Sequence, residues 1–381
     1  MEKTISSNQA GLIFCVFAIS LKLSALPALM FSFSGNDSYI TILIALIFDF
    51  IGTLIIVSIM HKHPSNNFYD ILKKSFGVVF TKIVHIILLL YFFAKCVLVL
   101  QELHDYFIAT LFEELNPVFF IIVLGLLMLF ASMKNFRTVG RLIELIFWPT
   151  LIGIGFTLIF PVEDIMIEYL LPILEQGPEP ILLGLSRTTF AFGDYMILLP
   201  LMGATITDKK SKKKILLYAF SALQFIFSFF VIFVGSFGKF SMSQTLALGE
   251  LPLHNSTPAT IGKLEWLTII IWTVILLTSS IILAIACRET FDKIFNVSDK
   301  KWTCYVTTFL IMGVVAITYL QLETIISVAV SPIFSSISGG IQLLFIVILI
   351  IASIVISHKN KPLTSLPTPQ RELSVEERNR C

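Results

Sequence analysis

Charged side chains are scarce in this 381-residue chain. Asp, Glu, Lys and Arg make up 14% of it, whereas soluble domains carry roughly 25%. Hydrophobic residues reach 56% and include 35 phenylalanines, and the mean hydropathy is +0.90. A soluble fold of this composition would expose large apolar patches. The composition therefore predicts an all-α integral membrane protein that lies in a lipid bilayer.

Cysteine is also sparse, and the motifs of several enzyme classes are missing. The five cysteines and six histidines are too scattered for a disulfide framework or a metal site. The chain has no HExxH, Walker loop or GxSxG sequence. Of the intramembrane aspartyl protease pattern only fragments occur, in the wrong order. We therefore expect no enzyme activity, no cofactor and no metal.

Long apolar runs recur along the chain, and about 20 such residues cross ~30 Å of hydrocarbon. The runs predict ten transmembrane helices. Their centres lie near Ile19, Asp49, Phe93, Leu126, Gly153, Phe192, Phe229, Ile275, Gly313 and Leu349.

Lysine and arginine are nearly absent from every second connection. Of the 27 in the chain, only Lys239 and Lys263 fall in predicted outer segments, and Lys22, Lys95 and Arg187 fall within spans. All others lie in predicted inner segments when the N-terminus is inside. By the positive-inside rule this predicts cytoplasmic N- and C-termini. The lysine-rich loop after the sixth span follows the same rule, so we expect no nucleic-acid partner.

The spans are expected to form one membrane domain, residues 1–357, followed by a disordered cytoplasmic tail, residues 358–381. Ten spans divide into five plus five, with one repeat at about 8–161 and the other at about 180–357. The long outer connection at 238–263 is of the kind that forms short helices over a site.

Transporters built from inverted repeats interrupt the first helix of each repeat near the bilayer midplane, where substrate binds. Both positions carry helix-breaking residues here. Span one contains Pro27, and span six contains Gly184, Gly193 and Pro200. We therefore expect broken helices in spans one and six, with Pro27 and Gly193 at the breaks.

Charges deep in a membrane segment are functional candidates by default. The deep charges are Lys22, Asp49, Lys95, Arg187 and Asp194. Three roles are open for Lys22: a packing ion pair with an aspartate, direct binding of an anionic ligand group, or occupation of the place of a coupling Na⁺. Arg187 either joins Lys22 at a similar depth or reaches the outer interface.

Lys95 belongs with Asp49 and Asp194 in a predicted ion or charge network. It is followed by Gln101 and Glu102, which suggest a polar vestibule on the outer side.

The ligand is expected to lie between the two interrupted helices. Its predicted contacts are Lys22, Ser24, Ala25 and Leu26 of span one and Arg187, Thr188, Thr189, Phe190 and Phe192 of span six. Phe190 or Phe192 would cover the apolar part of the ligand, although a phenylalanine at helical spacing also fits a packed core.

Several stretches together resemble a known family. They are "ISSNQAGLIF", "LPALM", "RLIELIFWP", "LLPILEQGPEPILLG", "FAFGDYMILLPLMG" and "IGKLEWLTIIIW". In order and spacing they resemble the spore germination permease family, the B-type subunits of germinant receptors within the amino acid–polyamine–organocation (APC) superfamily. The resemblance implies a LeuT-like inverted-repeat bundle in the spore inner membrane of an endospore-forming bacterium. It also implies a small germinant, usually an amino acid, and two partners: a larger membrane subunit with soluble domains and a lipoprotein.

The chain departs from that family where Lys22 stands in "SLKLSALP", a region that often contains glycine. An acidic or otherwise anionic germinant would suit this additional cation. Two further functions stay open beside germinant sensing. One is secondary active amino-acid transport, and the other is a partner-gated ion conduit along Asp49, Lys22 and Asp194.

Overall fold

The fold is described from a computed structural model. The structure describes residues 5–110, 117–159, 162, 165–207, 210–254, 264–297, 301–319 and 328–359. Most of the predicted tail, residues 360–381, lies outside these ranges. The residues described here are almost all helical and contain no strand, apart from an isolated bridge between Ile5 and Thr205.

The described residues form fourteen α-helices. In chain order they are α1 (Ser7–Ser20), α2 (Ala25–Ser34), α3 (Ser38–Lys62), α4 (Phe68–Phe76), α5 (Val78–Thr110), α6 (Pro117–Ser132), α7 (Phe136–Ile159), α8 (Glu179–Arg187), α9 (Leu198–Leu201), α10 (Ser211–Phe237), α11 (Ala247–His254), α12 (Leu264–Phe295), α13 (Lys301–Tyr319) and α14 (Pro332–Lys359). Short 3₁₀ turns include Thr189–Ala191 and Asp194–Ile197 between α8 and α9.

Within the described ranges, six helical stretches are long and apolar enough to cross a membrane. They are Ala25–Lys62, Val78–Thr110, Phe136–Phe156, Ser211–Ser243, Trp266–Phe295 and Pro332–His358. Four shorter apolar stretches accompany them: Ser7–Ser20, Val118–Ser132, Thr189–Leu201 and Lys301–Ile317. The chain is thus a multi-pass helical membrane protein, and the number of ten crossings stays a prediction.

Span one is interrupted between α1 and α2. Pro27 is the third residue of α2. In a continuous helix its ring would clash with the carbonyl of Leu23, and it has no N–H to donate there. The chain therefore leaves the helix at Leu21 and re-enters it at Ala25.

Span six is interrupted over a longer stretch. Helix α8 ends at Arg187, and two 3₁₀ turns separate it from the single turn of α9. Gly193 between these turns has φ +81°, a left-handed conformation that glycine adopts without a steric penalty. The predicted interruption of spans one and six is confirmed.

Helix α1 lies at the centre of the bundle. Of its 14 residues only Asn8 is exposed, and it packs against α10, α7 and α12. Its N-terminus is closed by a capping box in which Ser6 and Gln9 satisfy each other's backbone N–H groups. This central position places the interruption of span one deep inside the protein.

Candidate functional site

A buried ion-pair cluster joins the two interruptions. The Lys22 ammonium group contacts the Asp194 carboxylate and lies 3.9 Å from Asp49 Oδ2. It also donates to the carbonyl oxygen of Ala18, in the last turn of α1, at 3.2 Å. The Lys22 side chain is 0% exposed. Such a cation is tolerated in the interior because carboxylates and a carbonyl surround it.

Lys95 on α5 completes the cluster. Its Nζ is 3.7 Å from Asp194 Oδ1 and lies near the rings of Phe17 and Tyr91, 5.9 and 5.8 Å from their centroids. Two ammonium groups thus face two carboxylates, and the cluster is formally neutral. Lys95 lies in this cluster, whereas Gln101 and Glu102 lie further along α5.

The second interruption is held by side chains from other helices. The Gly193 N–H donates to Asp49 Oδ1 at 2.8 Å, and the Tyr91 hydroxyl donates to the carbonyl of Phe192 at 2.9 Å. The amide of Gln342 on α14 donates to the carbonyls of Thr189 and Phe192, at 2.8 and 3.1 Å. Tyr91 and Gln342 were not among the site residues predicted from the sequence.

The first interruption is held mainly by α11. The N–H groups of Leu248 and Ala247 donate to the carbonyls of Leu23 and Ser24, at 3.0 and 3.3 Å. These N–H groups open α11 and have no acceptor within that helix. Across the interruption, the N–H that opens α2, at Ala25, points to Glu102 Oε1 at 3.5 Å. Three free backbone groups of span one, the carbonyls of Leu23 and Ser24 and the N–H of Ala25, are therefore met by the protein itself.

A cavity of about 340 Å³ lies beside the first interruption. It is bounded by α2, by the end of α5 and by the segment before α11. We call this the outer end of the bundle, after the predicted orientation. The lining residues are Leu21, Ser24, Ala25, Leu26, Ala28, Leu29, Ser32, Leu98, Gln101, Glu102, Asp105, Ala109, Phe190, Met242, Thr245, Leu246 and Ala329.

Four of the predicted contact residues line this cavity: Ser24, Ala25, Leu26 and Phe190. Together with leucines and alanines from α2 and α5, they make most of its wall apolar. The cavity and the charged cluster are neighbours in the sequence: Lys22 of the cluster is only three residues before Ala25 of the cavity wall. Lys22 itself does not belong to the lining.

The polar part of the wall combines the hydroxyl groups of Ser24, Ser32 and Thr245 with three acceptor-bearing side chains on α5. Gln101 donates through Nε2 to Asp105 Oδ1 at 3.0 Å. Its own Oε1 is buried and has no hydrogen-bond partner within the described ranges. Glu102 and Asp105 add carboxylates to the same wall. No lysine or arginine is found among the lining residues that the structure describes.

The other predicted contact residues lie outside the cavity wall. The Lys22 ammonium group is 5.1 Å from the centroid of the Phe192 ring. The hydroxyl of Thr188 donates to the carbonyl of Gly184 at 2.7 Å, and that of Thr189 donates to the carbonyl of Ser335. These residues hold the second interruption.

Arg187 is not among the lining residues of the cavity either. It donates through Nη1 to the carbonyl of Val330 at 3.4 Å. Arg187 and Lys22 have different partners here, and their meeting at one ligand group stays a prediction. Among the residues that the structure describes, no group of three His, Cys, Asp or Glu side chains could hold a metal ion.

The comparison with known families identifies the chain. Residues 4–325 match the family described as "Spore germination protein". The chain belongs to the spore germination protein family. A curated relative, spore germination protein YndE of Bacillus subtilis (strain 168), is 22% identical over 307 residues, which is 79% of this chain and 83% of YndE. The resemblance stated from the sequence motifs is confirmed.

Solved structures show the same fold. Two variants of the manganese transporter of Eremococcus coleocola align with TM-scores of 0.60 and 0.58. Each is 13% identical, over 91% of this chain and 78% of the transporter. The likeness supports the predicted LeuT-like architecture. Family membership and this shared fold together show that the spore germination protein is a permease-like, multi-pass membrane protein of a spore-forming bacterium.

Proposed function

We propose that the chain is the permease-like subunit of a germinant receptor. It binds a small germinant, an amino acid or a close relative, and triggers germination together with partner subunits. The observation that carries the proposal is the cavity of about 340 Å³ beside the first interruption. A pocket with apolar walls and a few convergent polar groups is typical of small-molecule sites.

In this proposal the ligand lies against Ser24, Ala25 and Leu26 of span one and against Phe190 of span six. Lys22, Thr188, Thr189, Phe192 and Arg187 act indirectly, by holding the second interruption in place. The protein domain is residues 1–357, and the role is binding rather than catalysis.

The contacts suggest how occupancy reaches the rest of the bundle. Glu102 bounds the cavity and meets the Ala25 N–H, which begins α2. A ligand that draws Glu102 towards itself weakens this contact and loosens the start of α2 relative to the segment Leu21–Ser24, which α11 still holds. Lys22 in that segment contacts Asp194, so the second interruption responds as well. Ligand occupancy would thereby shift the bundle between two arrangements.

The signal then passes to the expected partners, a larger membrane subunit with soluble domains and a lipoprotein, in the spore inner membrane. The alternative is a secondary active amino-acid transporter, which the fold shared with a transporter favours. Counterflow of labelled amino acids by the purified chain alone would support transport. An ion conduit would instead carry ions without solute.

The test fills the cavity without altering its charges. Leu98 lines the cavity, while Leu90 on the same helix is 63% exposed on the outside of the bundle. Spores that carry Leu98→Trp, with the partner subunits present, should lose the fall in optical density after addition of an L-amino-acid mixture. Leu90→Trp is the matched control. An unchanged response of Leu98→Trp spores, at normal protein abundance, would contradict the proposal.

A further inference from the structure

Three of the groups that could attract an anionic ligand are already occupied by carboxylates of the protein. The Lys22 ammonium group contacts Asp194, and the Gly193 N–H at the second interruption donates to Asp49 Oδ1. The Ala25 N–H, at the start of α2, points to Glu102. A ligand carboxylate would have to displace one of these groups into a buried environment, which is costly.

Four of the carbonyl oxygens at the interruptions accept hydrogen bonds from the protein too. Those of Leu23 and Ser24 accept from α11, and those of Thr189 and Phe192 accept from Gln342. The protein therefore already engages these four carbonyl groups at the two interruptions. The polar side chains of the cavity wall are left to bind a ligand.

The polar side chains that α5 contributes to the wall suit a hydrogen-bond donor with a positive charge. Gln101, Glu102 and Asp105 stand within one turn of α5 and all line the cavity. Gln101 Oε1 is the clearest sign, because it is a buried acceptor without a partner among the described residues. An ammonium group carries three donors and no acceptor, and it would satisfy this acceptor while neutralising one of the two carboxylate charges.

We infer that the cavity recognises its ligand through an ammonium group at Gln101, Glu102 and Asp105, and that a ligand carboxylate contributes little. The ligand class is a small organic amine with an apolar body; an amino acid binds through its amino group. The inference rests on the proposed function, because it names the ligand chemistry of the same cavity. It replaces the expectation of an anionic germinant, which was based on Lys22 alone, with that of a ligand bound through its positive charge.

An organic amine fits the cavity better than an inorganic cation does. Most of the wall is apolar, including Leu21, Leu26, Leu29, Leu98 and Phe190, and these side chains cannot replace the water shell of a metal ion. They can cover an alkyl chain of a few carbons.

The experiment is a thermal-shift titration of the detergent-purified chain with a matched ligand series. L-Leucine carries both charged groups, L-leucinamide and isopentylamine carry only the amine, and isocaproate carries only the carboxylate. Potassium chloride and sodium chloride test for an inorganic cation at equal ionic strength. We expect the two amines to raise the melting temperature at least as strongly as L-leucine, and isocaproate and the salts to leave it unchanged.

Two variants locate the amine. Glu102→Gln should weaken the apparent affinity for isopentylamine about tenfold or more, because a charge-assisted contact is lost. Asp105→Asn provides a second measurement if Glu102→Gln does not fold. Glu175→Gln removes an exposed carboxylate outside the cavity and should leave the affinity unchanged.

Several results would overturn the inference: stabilisation by isocaproate equal to that by L-leucine, no stabilisation by either amine, an equal effect of the salts, or amine binding unaffected by both variants. The proposed function fails separately. A cavity that prefers carboxylates but is blocked by Leu98→Trp would refute the ammonium site alone, whereas a germination response that survives Leu98→Trp would refute the proposed function.

Discussion

Lys22 is the residue through which the two interruptions meet. Its ammonium group contacts Asp194 in span six, approaches Asp49 on α3 and donates to the last turn of α1. Of the three roles open from the sequence, these contacts agree with the ion pair. The contact with the Ala18 carbonyl also agrees with the role in which the ammonium group occupies the place of a coupling Na⁺. Direct ligand binding would require the pair to open.

Replacing Lys22 should therefore destabilise the protein rather than only silence it. Lys22→Met leaves Asp49 and Asp194 with Lys95 as their one nearby cation among the described residues. Removal of one partner from a buried pair costs about 3–5 kcal/mol, so we expect a clear fall in the melting temperature of the purified protein. The double variant Lys22→Met/Asp194→Asn should recover part of that loss. A single variant as stable as the wild type would contradict the assigned pairing.

Gly193 offers a test with an internal control. Its φ is +81°, and an added Cβ would lie 2.5 Å from the Tyr91 hydroxyl and 2.7 Å from Gln342 Cδ. Gly177 has φ +76° but no atom within 4 Å of such a Cβ. Both alanine variants should lose about 1–2 kcal/mol to backbone strain.

Gly193→Ala should lose a further ~1–3 kcal/mol through overpacking. Thermal unfolding of the two variants measures the difference. Equal melting temperatures would mean that Tyr91 and Gln342 do not hold the second interruption.

The sequence locates these charges along the membrane normal but does not pair them. Lys22 and Asp194 are 172 residues apart, and a residue's depth follows from its position in a span, whereas its direction around the helix axis depends on packing. Glu102 illustrates the same limit. It was expected in a polar vestibule, but its contact with Ala25 depends on how α5 packs beside α2.

At the scale of the helix, α11 closes the first interruption. Its opening N–H groups donate to the carbonyls of Leu23 and Ser24, and its residues Ala247, Leu248 and Leu251 are buried. This short helix therefore satisfies free carbonyl groups of the interrupted span, as a capping residue satisfies free backbone groups at a helix end.

A proline at the start of α11 tests this arrangement. Ala247 is the first residue of the helix, where proline is tolerated. Ala247→Pro should keep α11 helical but remove the donor to the Ser24 carbonyl. We expect faster hydrogen–deuterium exchange in peptides that cover residues 21–26. Ala247→Ser keeps the amide and should exchange like the wild type. Unchanged protection in Ala247→Pro would show that α11 does not hold the interruption.

The interruption of span one and the docking of α11 differ in how far the sequence predicts them. The break in span one follows from Pro27, because proline acts on the residue four positions earlier. The docking of α11 has no such local cause. The sequence suggests a short helix in the segment 238–263, and residues 247–254 form one, but nothing in the segment indicates which carbonyls it meets. Residues 255–263 lie outside the described ranges.

At the scale of the whole molecule, the orientation rests on lysine and arginine alone. Four native cysteines, Cys15, Cys96, Cys287 and Cys304, are buried, so added cysteines can report the sides of the membrane. In a Cys381→Ser background, a membrane-impermeant maleimide should label Glu175→Cys on intact protoplasts. Lys213→Cys, at an exposed position in the first turn of α10, should be labelled only after lysis. The reverse pattern would invert the predicted orientation.

The overall architecture was the most predictable level. Composition excludes a soluble fold, and the breaks in spans one and six agree with the fold that the chain shares with a transporter. The position of the cavity was not predictable in full. Ser24, Ala25, Leu26 and Phe190 were expected in its wall, but the wall also contains α5 and the segment before α11, whose approach depends on long-range packing.

The most direct test of the account is the protection of the cavity by ligand. Ala25 lines the cavity, whereas Ala18 lies beside Lys22 and is 0% exposed. On intact protoplasts we predict that an impermeant thiol reagent modifies Ala25→Cys but not Ala18→Cys, and that a germinant amino acid or amine slows this modification. Equal modification of both variants, or a rate at Ala25→Cys that no such ligand changes, would contradict a ligand site open to the outside at the first interruption.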